Sequence, residues 1–134
     1  MIPDTYSSRV IGHAMNVHRI FGPGLLESAY EEFLAIELTE ADIPFTRQTP
    51  IPATHMGRTA QIAYRADLLV GDDLIIEIKS VDQILRIHEC QMLTYLRLSG
   101  RGIGLLLNFN TVLLKHGIKR FVQSPAECLP RRSA

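Results

Sequence analysis

Hydrophobic residues recur at three- and four-residue spacing through the first forty positions, which is the period of an amphipathic helix. The pattern predicts one helix over residues 7–20, with Ser7 or Ser8 as its N-cap. A stop made of glycine and proline at residues 22–24 separates it from a second predicted helix, over residues 25–40. The chain is therefore expected to begin with two helices.

From Phe45 onward the period changes to that of β-strands. Strands are predicted over residues 45–56, 61–70 and 74–81, joined by turns at glycine-containing segments as in an antiparallel meander. The second and third strands are apolar on both faces, which is typical of strands in the middle of a sheet that is covered on both sides. This part of the chain predicts an α/β sandwich.

A third helix is predicted from Ser80 or Asp82 to Leu98, and a buried strand over residues 103–109 follows it. The fold class is therefore α/β with a central mixed sheet. Helices flank both faces of that sheet, and the helix at the N-terminus is additional to an α-β-β-β-α-β core.

The end of the chain predicts a short hairpin between residues 112–114 and 118–122. Residues 124–134 are polar and proline-containing, as in a loosely held tail. A single domain over residues 1–123 is expected.

Composition narrows the classes of function. The chain has 134 residues, of which 46% are hydrophobic, and its 14 Lys and Arg balance its 14 Asp and Glu. A neutral domain does not coat nucleic acid or an anionic membrane through bulk charge. The charge is uneven, since residues 1–67 hold five Arg or Lys against eight Asp or Glu, and residues 68–134 hold nine against six. Any anionic partner must be held locally.

Cellular location is predicted from the cysteines and from the absence of long apolar runs. Cys90 and Cys128 are the only cysteines, and their spacing suggests neither a zinc site nor a disulfide framework. No export signal is recognised at the start of the chain, and the longest apolar run, residues 103–107, is too short to span a bilayer. A cytoplasmic protein without a membrane partner is expected.

Three charged residues lie on predicted strands where burial is expected. Glu77 and Lys79 are two apart on one strand and point to the same face. If the turn at residues 71–73 is a three-residue loop, Asp67 faces Glu77, and carboxylates on facing residues are close enough to share one cation. A two-residue loop would place them on opposite faces.

Two carboxylates forced together repel unless a proton or a divalent cation lies between them. Oxygen ligands suit Mg²⁺, and Lys79 beside such an ion could orient or deprotonate a water, or offset charge on a phosphate oxygen. Metal-assisted phosphodiester hydrolysis is the reaction that this set favours. On spacing alone an ion pair between Glu77 and Lys79 at the sheet margin, with Asp67 in a polar patch, is equally consistent.

The set Asp67 and Glu77-Ile78-Lys79 resembles the signature of the PD-(D/E)XK nuclease superfamily, whose restriction-endonuclease-like core has the predicted element order. The segment Gly24–Tyr30 reproduces the pattern for which the GxxExxY family, a compact branch of that superfamily, is named. The similarity continues through four further segments of the chain, residues 64–70, 91–96, 104–109 and 117–120. It implies a Mg²⁺- or Mn²⁺-dependent nuclease acting on DNA or RNA.

The resemblance also assigns roles. Asp67 and Glu77 would be metal ligands, Lys79 the catalytic lysine, and Glu27 an additional metal or water contact. The alternative for Glu27 is a solvated glutamate on an acidic helix. Tyr30 lies one turn further along the same face and is expected to pack or to orient Glu27.

Four further residues match elements of related nucleases. Gln91 and Tyr95, one turn apart on the third helix, would bind phosphate or hold the lysine, as a catalytic and a substrate-binding residue. The alternative is that they satisfy buried backbone groups. Lys119 and Arg120 would contact phosphate, although scattered surface charge is the commoner explanation.

A second class of function stays open. The small size and neutral charge also suit a catalytically silent module that binds nucleic acid or protein and keeps the nuclease fold. For an active nuclease, attraction is expected from the bound cation and from basic residues after position 100. Specificity would come from a homodimer or a protein partner, because the chain has little beyond the core.

Overall fold

A computed structural model describes residues 6–123 of the chain as one mixed sheet with three helices. The helices are α1 (Ser7–Phe21), α2 (Glu27–Glu40) and α3 (Arg86–Ser99). The strands are β1 (Phe45–His55), β2 (Arg58–Val70), β3 (Leu74–Lys79), β4 (Ile103–Asn108) and β5 (Ile118–Val122). The predicted tail, residues 124–134, lies outside the described residues.

The strands lie side by side in chain order, and only the neighbours β3 and β4 are parallel. Helix α3 connects these two, as a parallel connection requires. The carboxyl ends of β3 and β4 therefore meet at one edge of the sheet. That edge carries Lys79 and Asn108 as register partners.

Hydrophobic residues bury both faces of the sheet. The even-numbered positions of β3, such as Ile76 and Ile78, pack under α1 and α2 with Val10 and Leu34. The odd-numbered Ile75 packs under α3. This explains the unbroken apolar run in β3, since each face of the strand is covered by a helical layer, and it confirms the predicted α/β class.

The start of α3 differs from its prediction, because the chain after β3 is irregular, with bends at residues 81–83, as far as Leu85. The Ser80 amide donates to Glu27 Oε2, and the Val81 amide and carbonyl bond the side chain of Asn108. These bonds keep residues 80–85 out of a helix, so neither Ser80 nor Asp82 is the cap.

The predicted hairpin between residues 112–114 and 118–122 is wrong. Residues Leu114–Gly117 form a single 3₁₀ turn, and β5 pairs with β4. Gly117 passes so close to the chain that a Cβ there would lie 2.1 Å from the Asn108 carbonyl oxygen. The close approach turns Leu114 into the core and leaves residues 112–114 without a strand partner.

The structure bears on two sequence observations, the cysteines and the lack of long apolar runs. Cys90 is disulfide-bonded, so the expectation of cysteines outside any disulfide is wrong for Cys90, and Cys128 lies outside the described residues. In residues 6–123 none of the helices has the length and apolar character needed to cross a bilayer.

Candidate active site

The turn between β2 and β3 has the three-residue loop on which the predicted pairing depends. Leu68 pairs with Ile76 and Val70 with Leu74, so the register continues to Asp67 facing Glu77. The ladder stops at Leu68, and beyond it β2 and β3 are joined through these two acids rather than by backbone bonds.

Each of the two carboxylates bonds the backbone of the opposite strand. The Ile78 amide donates to Asp67 Oδ2 at 2.8 Å, and the Asp67 amide donates to Glu77 Oε1 at 3.3 Å. The Glu77 side chain is only 7% exposed. The fold therefore fixes both carboxylates at the carboxyl end of β3.

Burial first, and the neighbouring Asp67 second, raise the pKa of Glu77 to about 9, while the charge of Lys79 acts in the opposite direction. The pKa of the Tyr95 hydroxyl is also raised, chiefly by burial and then by the negative charges of Glu77 and Asp67. A carboxylate that resists ionisation beside another one requires a proton or a cation. This oxygen pair fits a divalent metal ion, which one or two carboxylates hold in proteins.

Lys79 is the last residue of β3 and projects from the same face as Glu77. It is partly buried, and no hydrogen bond or ion pair joins its ammonium to another described residue. A cation in this position is available to an anionic ligand.

Glu27 comes to the site from the first turn of α2. Its Oε2 accepts a hydrogen bond of 3.0 Å from the Ser80 amide, directly after Lys79, while the Ser80 hydroxyl donates to the Leu25 carbonyl. Within residues 6–123, no three His, Cys, Asp or Glu side chains lie close enough together to form a metal cluster. Asp67 and Glu77 are thus brought together as a pair, and Glu27 is tied to the neighbouring backbone.

Tyr30 packs rather than facing the site. It is fully buried, its ring stacks on Phe109 at 4.4 Å between centroids, and its hydroxyl donates to the Gly22 carbonyl. The same hydroxyl accepts from the Leu25 amide. Tyr30 therefore fixes the loop that delivers Glu27.

Gln48 is a site residue that the sequence did not indicate. Its amide nitrogen donates to Asp67 Oδ1 at 3.2 Å and to Glu31 Oε1 at 2.6 Å. Glu31 is 6% exposed, and Arg47 donates to its other oxygen through two nitrogens. Gln48 has a φ of 48°, a left-handed conformation that glutamine rarely adopts. Glutamine in a strand gives no signal of either feature.

Asn108 was also missed as a site residue. It is 2% exposed, and it is the register partner of Lys79 in the neighbouring strand. Its side-chain amide accepts a hydrogen bond from the Val81 amide and donates one to the Val81 carbonyl. The sequence contained a signal for Asn108, because it ends an otherwise apolar strand. A polar residue in such a place is buried only when it is hydrogen-bonded. Asn108 holds the segment after Lys79 in place.

Tyr95 lies on α3 above the carboxylate pair, and Gln91 lies one turn before it. The Tyr95 ring stacks on Tyr64 with centroids 3.7 Å apart, and the Tyr64 hydroxyl donates to the Tyr95 carbonyl. Both predicted residues are partly buried. His88, on the same helix, accepts from the Leu85 amide and caps α3.

Lys119 and Arg120 point to opposite faces of β5. Lys119 pairs across to Leu106, which in turn pairs with Glu77, so it lies on the site's face, two strands or about 10 Å away. Its ammonium forms an ion pair with Glu89 on α3. Arg120 lies on the face of Leu105, under α1 and α2, so the structure does not bring it to the carboxylate pair.

The sheet order and the flanking helices define an α/β protein with a restriction-endonuclease-like fold, and its acidic pair and lysine lie at the end of a central strand. The family model of the PD-(D/E)XK nuclease superfamily matches residues 4–121, and the chain belongs to this superfamily.

One solved structure shares the fold. It is described as an alkaline exonuclease (LHK-Exo) from Laribacter hongkongensis, is 19% identical, and superposes with a TM-score of 0.51. The match covers 91% of this chain and 73% of that one. No curated protein matches the sequence significantly.

Proposed function

We propose that the protein is a metal-dependent nuclease that hydrolyses phosphodiester bonds of DNA or RNA. The observation that carries this proposal is the half-buried Asp67 beside the buried Glu77 at a strand end, next to Lys79, whose ammonium forms no hydrogen bond or ion pair with another described residue. Superfamily membership supports the same activity.

Asp67 and Glu77 would hold one Mg²⁺ or Mn²⁺ ion. Bound there, a divalent ion supplies an acidified water and a positive charge for the phosphate oxygens. The chain's own residues position the reaction: Lys79 donates a hydrogen bond to a nonbridging phosphate oxygen, where negative charge grows in the transition state. Water's oxygen forms the new bond to phosphorus as the ester P–O bond breaks, and the leaving oxygen gains a proton.

Other residues take supporting roles in this proposal. Glu27 holds Ser80 and contacts the metal or its waters, and Gln91 and Tyr95 contribute from α3. Lys119 provides positive charge on the same face, while Arg120 could act only on nucleic acid that reaches the opposite face. The segment Gly24–Tyr30 supports placing the chain in the GxxExxY branch.

The direct experiment is a cleavage panel. Labelled single-stranded, duplex and structured DNA and RNA are incubated with Mg²⁺ or Mn²⁺ and the wild-type protein or Asp67→Ala. We expect metal-dependent cleavage of at least one substrate that the variant lacks. Equal products from both proteins would identify a contaminant and contradict the proposal, leaving a catalytically silent binding module as the function.

Replacing Gln48 tests whether its amide positions Asp67. We expect Gln48→Gly to lower kcat about 10-fold with little change in KM, since glycine accepts the left-handed backbone but supplies no donor to the Asp67 carboxylate. Steady-state kinetics on the substrate identified in the panel measure both constants. A rise in KM with unchanged kcat would instead assign Gln48 to substrate binding and refute the positioning role.

The variant Glu27→Gln tests whether Glu27 contacts the metal ion or is only a solvated glutamate. Glutamine keeps an oxygen for the Ser80 amide but loses the charge, so we expect a weaker response to Mg²⁺, with the half-saturating concentration raised about 10-fold. Glu40→Gln, at the exposed end of the same helix, is the matched control. An identical Mg²⁺ dependence in both variants would exclude Glu27 from the metal site.

A further inference from the structure

The hairpin of β1 and β2 extends beyond the sheet as a two-stranded arm, which we define as residues 50–65. Strand β3 ends at Lys79, and its ladder with β2 includes only Leu68 to Val70. Strand β2 continues from Asp67 back to Arg58, and over this stretch β1 is its only ladder partner among residues 6–123. The arm therefore begins at the carboxylate pair and projects away from it.

The base of the arm is anchored and its outer part is uncovered. Ile51 packs under α3 with Met92 and Leu96, and Tyr64 stacks on Tyr95. Farther out, residues 58–63 are all exposed, so both faces of the strand meet solvent. A register shift between Ile51 and Ala53 bends the ribbon at this boundary. Isolated hairpins are marginally stable, and an uncovered one is suited to a partner.

The arm is basic, although residues 1–67 as a whole are acidic. Residues 43–66 contain no Asp or Glu, although they contain Arg47, Arg58 and Arg65. Arg47 is paired with Glu31 and Glu32, whereas Arg58 and Arg65 are exposed and form no ion pair with other described residues. The expectation that positive charge for a substrate comes only after position 100 is therefore incomplete.

The dimensions of the arm fit duplex DNA. Arg65 lies two residues beyond Asp67, or about 7 Å along the strand, and Arg58 lies nine residues beyond it, or about 30 Å. This reach approaches one helical turn of B-DNA, whose major groove admits a two-stranded ribbon. The deep, narrow major groove of duplex RNA does not admit side chains in this way.

We propose that the arm lies along the major groove of duplex DNA, with Arg58 and Arg65 on phosphates of the segment that leads into the carboxylate site. The inference rests on the proposed nuclease function and names its substrate as DNA with a duplex portion. Arg65 then holds the strand beside Lys79, and Arg58 holds it near the tip of the arm.

The test is a binding measurement that needs no cleavage. Affinity for a labelled 20-base-pair DNA duplex is measured by fluorescence anisotropy in EDTA, at several salt concentrations, in a Lys79→Ala background. The double variant Arg58→Gln/Arg65→Gln is compared with Arg9→Gln/Arg19→Gln, which removes the same charge from exposed positions on α1.

We expect the arm variant to bind duplex DNA about 10-fold more weakly, with the slope of log K against log salt reduced by about 2, and the α1 variant to be unchanged. Duplex RNA should bind weakly and be insensitive to the arm substitutions. The proposal would be overturned if both double variants lost the same DNA affinity or if neither lost any. It would also be overturned if the arm substitutions weakened duplex RNA binding as much as duplex DNA binding.

The same variants keep this inference distinct from the nuclease proposal. Arm-dependent DNA binding by a protein that never cleaves would overturn the nuclease function and leave the arm as a DNA-binding surface. Cleavage that depends on Asp67 but is unaffected by Arg58→Gln/Arg65→Gln, in an otherwise wild-type chain, would overturn the role of the arm alone.

Discussion

Lys79→Ala is expected to lower kcat for cleavage by about 10²–10³-fold, because it removes the one positive side chain placed to meet charge on the reacting phosphate. Folding should be preserved, since the ammonium has no hydrogen bond or ion pair within residues 6–123 that the substitution would break. Single-turnover cleavage and thermal melting of the same preparation measure the two effects.

Lys115→Ala is the matched control for this prediction. Lys115 is an exposed lysine on the 3₁₀ turn, so its removal changes net charge equally without touching the strand end. An equal loss of activity in both variants would show that net charge matters rather than position, and would contradict a catalytic role for Lys79.

Glu77→Gln is expected to abolish cleavage while stabilising the metal-free protein. Burial and Asp67 raise the pKa of Glu77 to about 9 in the folded state, above its ordinary value of 4.5. Protonation of Glu77 stabilises the folded state. This contribution to the free energy of unfolding is complete below the ordinary pKa and is lost as the pH rises through the folded-state pKa. The metal-free wild type should therefore become less stable relative to the variant between these limits.

At pH 8 the stability gap between variant and wild type should be roughly 5 kcal/mol, because pH 8 lies 3.5 pH units above the ordinary pKa of 4.5 and below the folded value. Near pH 4.5 the gap should vanish, because the wild-type glutamate is then protonated as well. Thermal melts of both proteins in EDTA across this range measure it. Mg²⁺ should raise the melting temperature of the wild type and leave that of the variant unchanged, since a ligand stabilises only the state that binds it. A variant less stable than the wild type at pH 8 would refute the buried-carboxylate description.

The register at the heart of the site could be predicted from the sequence because it depends on local chemistry. Gly71-Asp72-Asp73 sets the length of the turn, and the turn sets which residues of β2 and β3 face each other. The two apolar faces of β3 likewise predicted its central place in the sheet. These features need only the period and the turn.

Features that depend on long-range packing could not be predicted. The bond of Gln48 to Asp67 joins residues 19 apart in sequence, and the bond of Ser80 to Glu27 joins residues 53 apart. The start of α3 was mispredicted for the same reason. Local capping residues favoured Ser80 or Asp82, while tertiary bonds from Glu27 and Asn108 hold that segment out of a helix.

The arm was not predicted from the sequence, for a different reason. Its lack of acidic residues is visible in the sequence over residues 43–66, but the balance of charge over the first half of the chain conceals it. The glutamates of α2 supply most of the negative charge of that half, and the structure places them on a different element from the arm.

The proposed function requires that Asp67 and Glu77 share one divalent cation. The most direct measurement is the crystal structure of the protein soaked in Mn²⁺, with anomalous diffraction recorded at the manganese absorption edge. We expect one anomalous peak about 2 Å from a carboxylate oxygen of each residue. A map with no peak between the two carboxylates, under conditions in which Mn²⁺ supports cleavage, would contradict this requirement.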